Sequence, residues 1–257
     1  MSVVVLMYHG IHSSEAELEE MDVEDRPYAV SLDNFRSQLD LLSQRCPVVP
    51  GLTTQGSTDT AVMLTFDDGH ASSFRHVYPE LRRRGWSGTF FVTSGFIGKR
   101  PGFCSWKQLH AMAHDGMVIG GHGRTHRFLD GLSPQALAGE IALSRDEIAA
   151  HIGKPVHTMS FPGGRYDASV VEACLAAGYR QLFGSRVGSL DPAAIDPTQP
   201  VPRLAIRATT TVDQLAALLE PNSASLQRAA RMDRIKQVTR TVLGSRSYHL
   251  LYRWLAS

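Results

Sequence analysis

Four short segments of this 257-residue chain carry the residue types that hydrolysis needs: His9, the pair Asp67-Asp68, His122 with His126, and Pro162-Gly163-Gly164. Each has an ordinary explanation by itself. Asp-Asp-Gly is a common turn and helix cap, and two histidines four apart are often surface imidazoles. Taken together they describe a metal-assisted hydrolase. In a helical turn, i,i+4 spacing puts His122 and His126 on one face, and two histidines with one aspartate are a familiar three-ligand set for catalytic zinc. One of the two aspartates serves as ligand. The other, held close but not bound, can take a proton from the attacking water. The metal's charge keeps both carboxylates ionised despite their adjacency. Cleaving an amide or ester also needs an acid for the leaving group and donors for the oxyanion. The imidazole of His9 could be that acid. Backbone N–H groups at Pro162-Gly163-Gly164 could be the donors, because glycine allows close approach to a ligand.

These residues share a structural context, since each segment follows at once on a β-type run. Val3–Met7 precedes His9, Val62–Phe66 precedes Asp67, Met117–Ile119 runs into Gly120-Gly121-His122, and Thr158–Phe161 precedes Pro162. Further strands are predicted at Val48–Val49, Thr89–Val92, Gln181–Phe183 and Leu204–Ile206. Helices lie between them. Ser31 caps one with an apolar stripe of Leu32, Phe35, Leu39 and Leu42. Others run through Phe74, Val77 and Leu81, from Ser105 to about Gly116, from Ser133-Pro134 to about Ile152, and from Asp167 to Gly178. The acid-rich segment Glu15–Asp25 and the Pro-rich segment Asp191–Pro202 read as surface loops. Strand–helix alternation predicts a mostly parallel sheet with helices outside. Seven or eight such strands favour a (β/α) barrel, in which strand C-termini share one rim and that rim holds the active site.

Two stretches resemble the first two motifs of the polysaccharide deacetylases, the NodB-homology family. They are Thr65-Phe66-Asp67-Asp68-Gly69 and Gly120-Gly121-His122-Gly123-Arg124-Thr125-His126. Gly88-Thr89-Phe90-Phe91-Val92 is similar to the family's intervening strand, and Phe161-Pro162-Gly163-Gly164-Arg165-Tyr166 to its third motif. Met7-Tyr8-His9-Gly10-Ile11 is similar to the opening of many bacterial members. The resemblance covers roughly residues 1–215. It implies a distorted barrel that removes acetyl from N-acetylated sugars, using zinc or else cobalt, nickel or manganese. It also implies Asp68, His122 and His126 as metal ligands and Asp67 as general base.

The chain departs from the family pattern in two places. The third motif usually reads Arg-x-Pro-aromatic, and here Ser160, Phe161, Pro162 and Gly163 occupy it. The arginine that orients the base is therefore absent, with Arg165 and Arg203 as candidate substitutes, while the Gly163 N–H remains a candidate oxyanion donor. The late-strand catalytic histidine is also absent: Arg207 lies near that place, and His9 is its natural replacement. Tyr166 and Trp106 are candidates to stack on a sugar ring, with a core role the stronger reading for Trp106. Two other readings compete: a hydrolase of a non-sugar amide on the same site, and a glycan-binding homologue with impaired catalysis.

The net charge of +1 conceals an asymmetry. Residues 223–257 carry seven Lys/Arg and one Asp, leaving residues 1–222 at −5. An acidic body lacks the basic face that nucleic-acid binding needs. We expect two units: a deacetylase-like barrel over 1–222 and a basic amphipathic helical tail over 223–257. Met232, Ile235, Val238 and Val242 share one helical face of that tail, suited either to an anionic membrane surface or to packing on the body. Three widely spaced cysteines fit no disulfide framework or zinc ribbon. No stretch approaches the roughly 20 apolar residues of a membrane span, and Val3–Met7 is too short for a signal-peptide core. A cytoplasmic location, with membrane contact through the tail, is the corresponding expectation.

Overall fold

The computed structural model describes residues 2–52 and 60–235. Its centre is a seven-stranded, all-parallel sheet built from β1 (Ser2–Tyr8), β4 (Thr60–Phe66), β5 (Thr89–Val92), β6 (Val118–Gly121), β7 (Thr158–Ser160), β8 (Gln181–Phe183) and β9 (Leu204–Ala205). The strand order is β8-β7-β6-β5-β4-β1-β9. The chain leading into β9 closes the curl. Val201 N–H donates to the Leu182 carbonyl (2.7 Å), Gly184 N–H to Val201 (3.0 Å) and Arg203 N–H to Arg186 (2.8 Å). A few residues later Leu204 and Ala205 pair with β1. Residues 201–206 thus span the gap between the two sheet edges and give a distorted (β/α) barrel.

The strands are buried on both faces, as a parallel sheet requires. β1 and β4 are almost wholly apolar, and alternate side chains enter two cores. Val3, Val5, Ala61, Met63, Phe91, Phe183 and Val201 fill the barrel interior. Val4, Leu6, Tyr8, Val62, Leu64, Phe66, Leu182 and Leu204 face the helices. Those outer helices are α2 (Leu32–Arg45), α3 (Tyr78–Arg83), α4 (Trp106–His114), α5 (Pro134–Ala138), α6 (Ser144–Ile152), α7 (Ala168–Ala176) and α8 (Val212–Leu218). Ser31, Ser105, Ser133 and Asp167 each accept a backbone N–H as N-caps, as their positions in the sequence imply. A π turn over Gly139–Leu143 joins α5 to α6.

The structure differs from the sequence expectations in several places. Glu15–Asp25 is not wholly a loop: α1 (Glu15–Glu19) forms there, capped by Ser14. Val48 makes a single bridge to Val62 rather than a strand. A small parallel ladder of β2 (Ile11–His12) and β3 (Val30–Ser31) ties the segment after β1 to the start of α2. Residues 224–235 are helical. The rest of the basic tail, including Val238 and Val242, lies outside the described residues. Among the described residues no helix is long and apolar enough to cross a membrane.

Candidate active site

Strand alternation explains why two adjacent aspartates acquire different partners. Ala61, Met63, Thr65 and Asp67 share the inward face of β4 and its continuation, so Asp67 forms the top layer of the barrel interior. Arg203 reaches the same layer from the closing segment, two residues after the inward Val201. Its guanidinium donates to both Asp67 oxygens, from Nη1 to Oδ1 (2.7 Å) and from Nη2 to Oδ2 (2.8 Å). Ser160 Oγ donates to Asp67 Oδ2 (3.1 Å) and accepts from Arg203 Nη2 (2.6 Å). Arg203 Nε donates to the Gly184 carbonyl (2.7 Å). Arg203 is 1% exposed and Asp67 2%. Burial alone would raise the Asp67 pKa, but Arg203, with His122 and His9, outweighs it and holds the carboxyl below its ordinary value.

One residue on, Asp68 leaves the strand with φ +71°, and its carboxylate turns to the rim. Asp68 Oδ1 lies 3.3 Å from His122 Nε2 and 3.1 Å from His126 Nε2. His122 Nδ1 is 2.9 Å from the Ser160 carbonyl. A carbonyl only accepts, so Nδ1 donates to it and Nε2 is the ring atom that faces Asp68. Burial would raise the Asp68 pKa as well. The facing imidazoles of His122, His126 and His70 more than offset it and hold the carboxyl well below the usual range.

These residues fit a divalent metal. Asp68 Oδ1 is buried and makes no hydrogen bond, which is costly for a carboxylate oxygen unless a cation satisfies it. It converges with two imidazole nitrogens within 4.8 Å. One carboxylate and two neutral imidazoles suit zinc and its first-row neighbours.

The two histidines do not meet through a helical turn. Residues 122–126 form an irregular loop, with Gly123 at φ +73° and His126 at φ +60°. The loop is held from outside by Glu140 on the π turn, whose carboxylate accepts from the N–H groups of Arg124 and Thr125 (both 2.8 Å) and from the Thr125 hydroxyl. Ser144 Oγ donates to the Gly123 carbonyl (3.0 Å), and Gly95 N–H to the Arg124 carbonyl (2.8 Å).

Asp67, Asp68, His122, His126, His9, Gly163 and Arg203 line one pocket, together with Glu24, Asp25, Tyr28, Gly164 and Ser185. His9 stands beside β4 because β1 and β4 end in register, with Asp67 N–H donating to the Tyr8 carbonyl (2.9 Å). Its ring packs on Tyr28 at 4.8 Å, and its buried Nδ1 makes no hydrogen bond. Burial lowers its proton affinity, against the opposing pull of Asp68 and Asp67.

The structure does not bring every candidate here. Arg165 makes a bidentate pair with Asp130, from Nε to Oδ1 (2.9 Å) and from Nη2 to Oδ2 (2.6 Å), and lies over the Phe128 ring, so its charge is already committed away from Asp67. Tyr166 packs on Phe161 and under Arg186, and does not line the pocket. Pro162 is buried and does not line the pocket. Trp106 stacks on His151 at 4.1 Å on the helical layer. Arg207 lies over the Tyr28 ring at 5.0 Å. Sequence reasoning missed Ser160 as a partner of Asp67, and it missed Asp25, Tyr28 and Glu140. Ser160 carried one signal, since it occupies the position where the motif's arginine would stand.

Comparison with known proteins bears on the fold and the family. The polysaccharide deacetylase family model matches residues 54–182, which include Asp67, Asp68, His122, His126 and Ser160. The chain is 28% identical over 193 residues to YxkH of Bacillus subtilis (strain 168), which bears the polysaccharide deacetylase name. That match takes in 72% of this chain and 65% of YxkH. The fold matches Streptococcus pyogenes deacetylase PplD in complex with acetate, with a TM-score of 0.74 and 22% identity over 86% of this chain and 99% of that one. IcaB from Ammonifex degensii is 26% identical at a TM-score of 0.64, over 88% of this chain and 97% of IcaB. A family match over half of the chain, centred on the strands that deliver the two aspartates and two histidines, makes the protein a member of the polysaccharide deacetylase family.

Proposed function

We propose that the protein is a metal-dependent hydrolase that removes the acetyl group from an N-acetylated sugar of a glycan or lipid-linked glycan. The observation that carries this reading is the division of labour between the adjacent carboxylates. Asp67 is locked by Arg203 and Ser160 inside the barrel, while Asp68 turns out to two imidazoles. A sugar-binding module has no need of a buried, ionised base beside a three-ligand cation site.

Asp68, His122 and His126 would hold the metal, zinc by ligand type. When bound, it supplies a Lewis acid that lowers the pKa of water and polarises the acetyl carbonyl. Asp67 takes the proton from the attacking water. Its pairing with Arg203 keeps it ionised at neutral pH and fixes its direction. The same pairing lowers its proton affinity, so the proton is held briefly and can pass on. The N–H of Gly163 donates to the developing oxyanion. Its left-handed φ of +61° and the Phe128 ring against it favour glycine at this position. His9, on the same wall as Asp67, delivers a proton to the departing amine. Burial lowers its proton affinity, so the ring is neutral at rest, receives the proton that Asp67 took from the water, and gives it up readily to the amine.

The test is acetate release from chitin oligosaccharides and other N-acetylated glycans by wild type and Asp67→Asn. The substitution keeps the shape of the side chain and removes the base, so we expect a fall of roughly 10²–10⁴-fold. Unchanged acetate release by the variant would dismiss the role of Asp67.

A further inference from the structure

Asp68 has a second oxygen, and it faces a second buried imidazole. His70, two residues on, is 4% exposed. Its Nε2 lies 3.5 Å from Asp68 Oδ2 and 3.6 Å from Asp25 Oδ2. Both contacts are longer than a well-formed hydrogen bond and count as ion pairs only when the ring is protonated, and Nε2 is buried without a well-formed partner. A buried ring nitrogen aimed between two carboxylates and bonded to neither calls for a physical explanation.

The separations supply one. Ligands about 2.1 Å from a tetrahedral metal lie roughly 3.4 Å from one another. The first cluster shows 3.1 and 3.3 Å, and the second shows 3.5 and 3.6 Å. Both sets match spacing around a cation. The two clusters share one carboxylate, with Oδ1 toward His122 and His126 and Oδ2 toward His70. The second cluster's ligand atoms also lie within 4.8 Å of one another. To the charge of Asp68, which the first site shares, it adds the one negative charge of Asp25 and an imidazole nitrogen. Arg100, the neighbouring cation on this wall, is already paired with Asp22 and laid over Phe96 and Phe103.

We propose that Asp25, His70 and Asp68 Oδ2 form a second divalent-cation site, bridged to the first through Asp68. This rests on the reading of Asp68, His122 and His126 as a metal site. An ion there would do something the first cannot. Asp25 belongs to the segment between α1 and β3 that supplies Glu24 and Tyr28 to the pocket wall. The second ion would tie that wall to the end of β4 and fix the shape of the pocket mouth. Its ligands mix oxygen and nitrogen, and one of them stands on a partly exposed segment. It therefore suits zinc or manganese and should bind more weakly than the first.

Equilibrium dialysis of chelator-stripped protein against zinc, read by elemental analysis, tests this directly. Wild type should take up about two ions per chain, and His70→Ala and Asp25→Asn about one each. Asp68→Ala should lose both. Asp25 is partly exposed, so Asp25→Asn keeps the test valid if the buried His70→Ala fails to fold. Two ions retained by Asp25→Asn or by folded His70→Ala would overturn the second site. Saturation of wild type at one ion that His122→Ala removes would overturn it too, and would leave the first site standing.

Discussion

At the scale of single residues the account turns on Arg203. It is a buried cation whose fork spans both oxygens of a buried carboxylate. Removing one partner of such a pair typically costs about 3–5 kcal/mol, because the other charge stays buried and unpaired. Arg203→Ala should therefore lower the thermal midpoint sharply. Arg203→Lys keeps the charge but cannot bridge both oxygens. We expect it to fold and to bind zinc as wild type does, while acetate release falls severalfold or more. Acetate release equal to wild type by Arg203→Lys would refute the orienting role. The identity of this arginine was only partly legible. Arg165 and Arg203 were equal candidates along the chain, since sequence does not say which is spoken for. Asp130 claims Arg165, and the closing strand directs Arg203 inward. Asp67, Asp68, His122 and His126 were legible because their motifs sit directly after strands, where topology rather than local conformation brings them together.

At the scale of elements, the loop from His122 to His126 shows where pattern reasoning went astray. Spacing of four implied a helical turn, yet Gly123 and His126 take left-handed backbone and the loop hangs from Glu140. That carboxylate belongs to a different element, 15 residues further on, so no local rule could reveal it. Glu140→Gln retains an acceptor but gives up the charge that two backbone N–H groups and a hydroxyl share. Support of this kind for metal ligands is typically worth about 10–100-fold in metal affinity. We expect zinc affinity, measured by competition with a chelator, to fall within that range while Asp67 and Arg203 stay paired. Wild-type affinity in the variant would show that the loop holds its shape without Glu140. Two short helices were also overlooked, although Ser14 with Glu17 and Thr211 with Gln214 are capping signatures. Both helices are too short to show apolar periodicity, so their caps were the sole signal.

At the scale of the whole molecule, the barrel's alternation was legible and its closure was not. The apolar runs of β1 and β4 announce strands buried on both faces. The closing segment instead reads Gln199-Pro200-Val201-Pro202-Arg203, and its prolines argue against a central strand. It serves here because it changes partners midway, pairing first with the chain from Leu182 to Arg186 and then with β1. That switch carries Arg203 across the barrel to Asp67. Closure, the pairing of Asp67 with Arg203 and the placement of His9 beside the end of β4 are thus consequences of one topology. All of them point toward Asp68, His122 and His126, and the central claim is that a metal held there is required for acetate release. The most direct measurement strips the protein with a chelator, returns zinc in steps and follows acetate released from an N-acetylated glycan, with Asp68→Ala in parallel. We predict that the stripped protein is inactive, that zinc restores it, and that folded Asp68→Ala stays inactive at every zinc concentration. Full activity in the stripped protein, or in Asp68→Ala, would contradict the account.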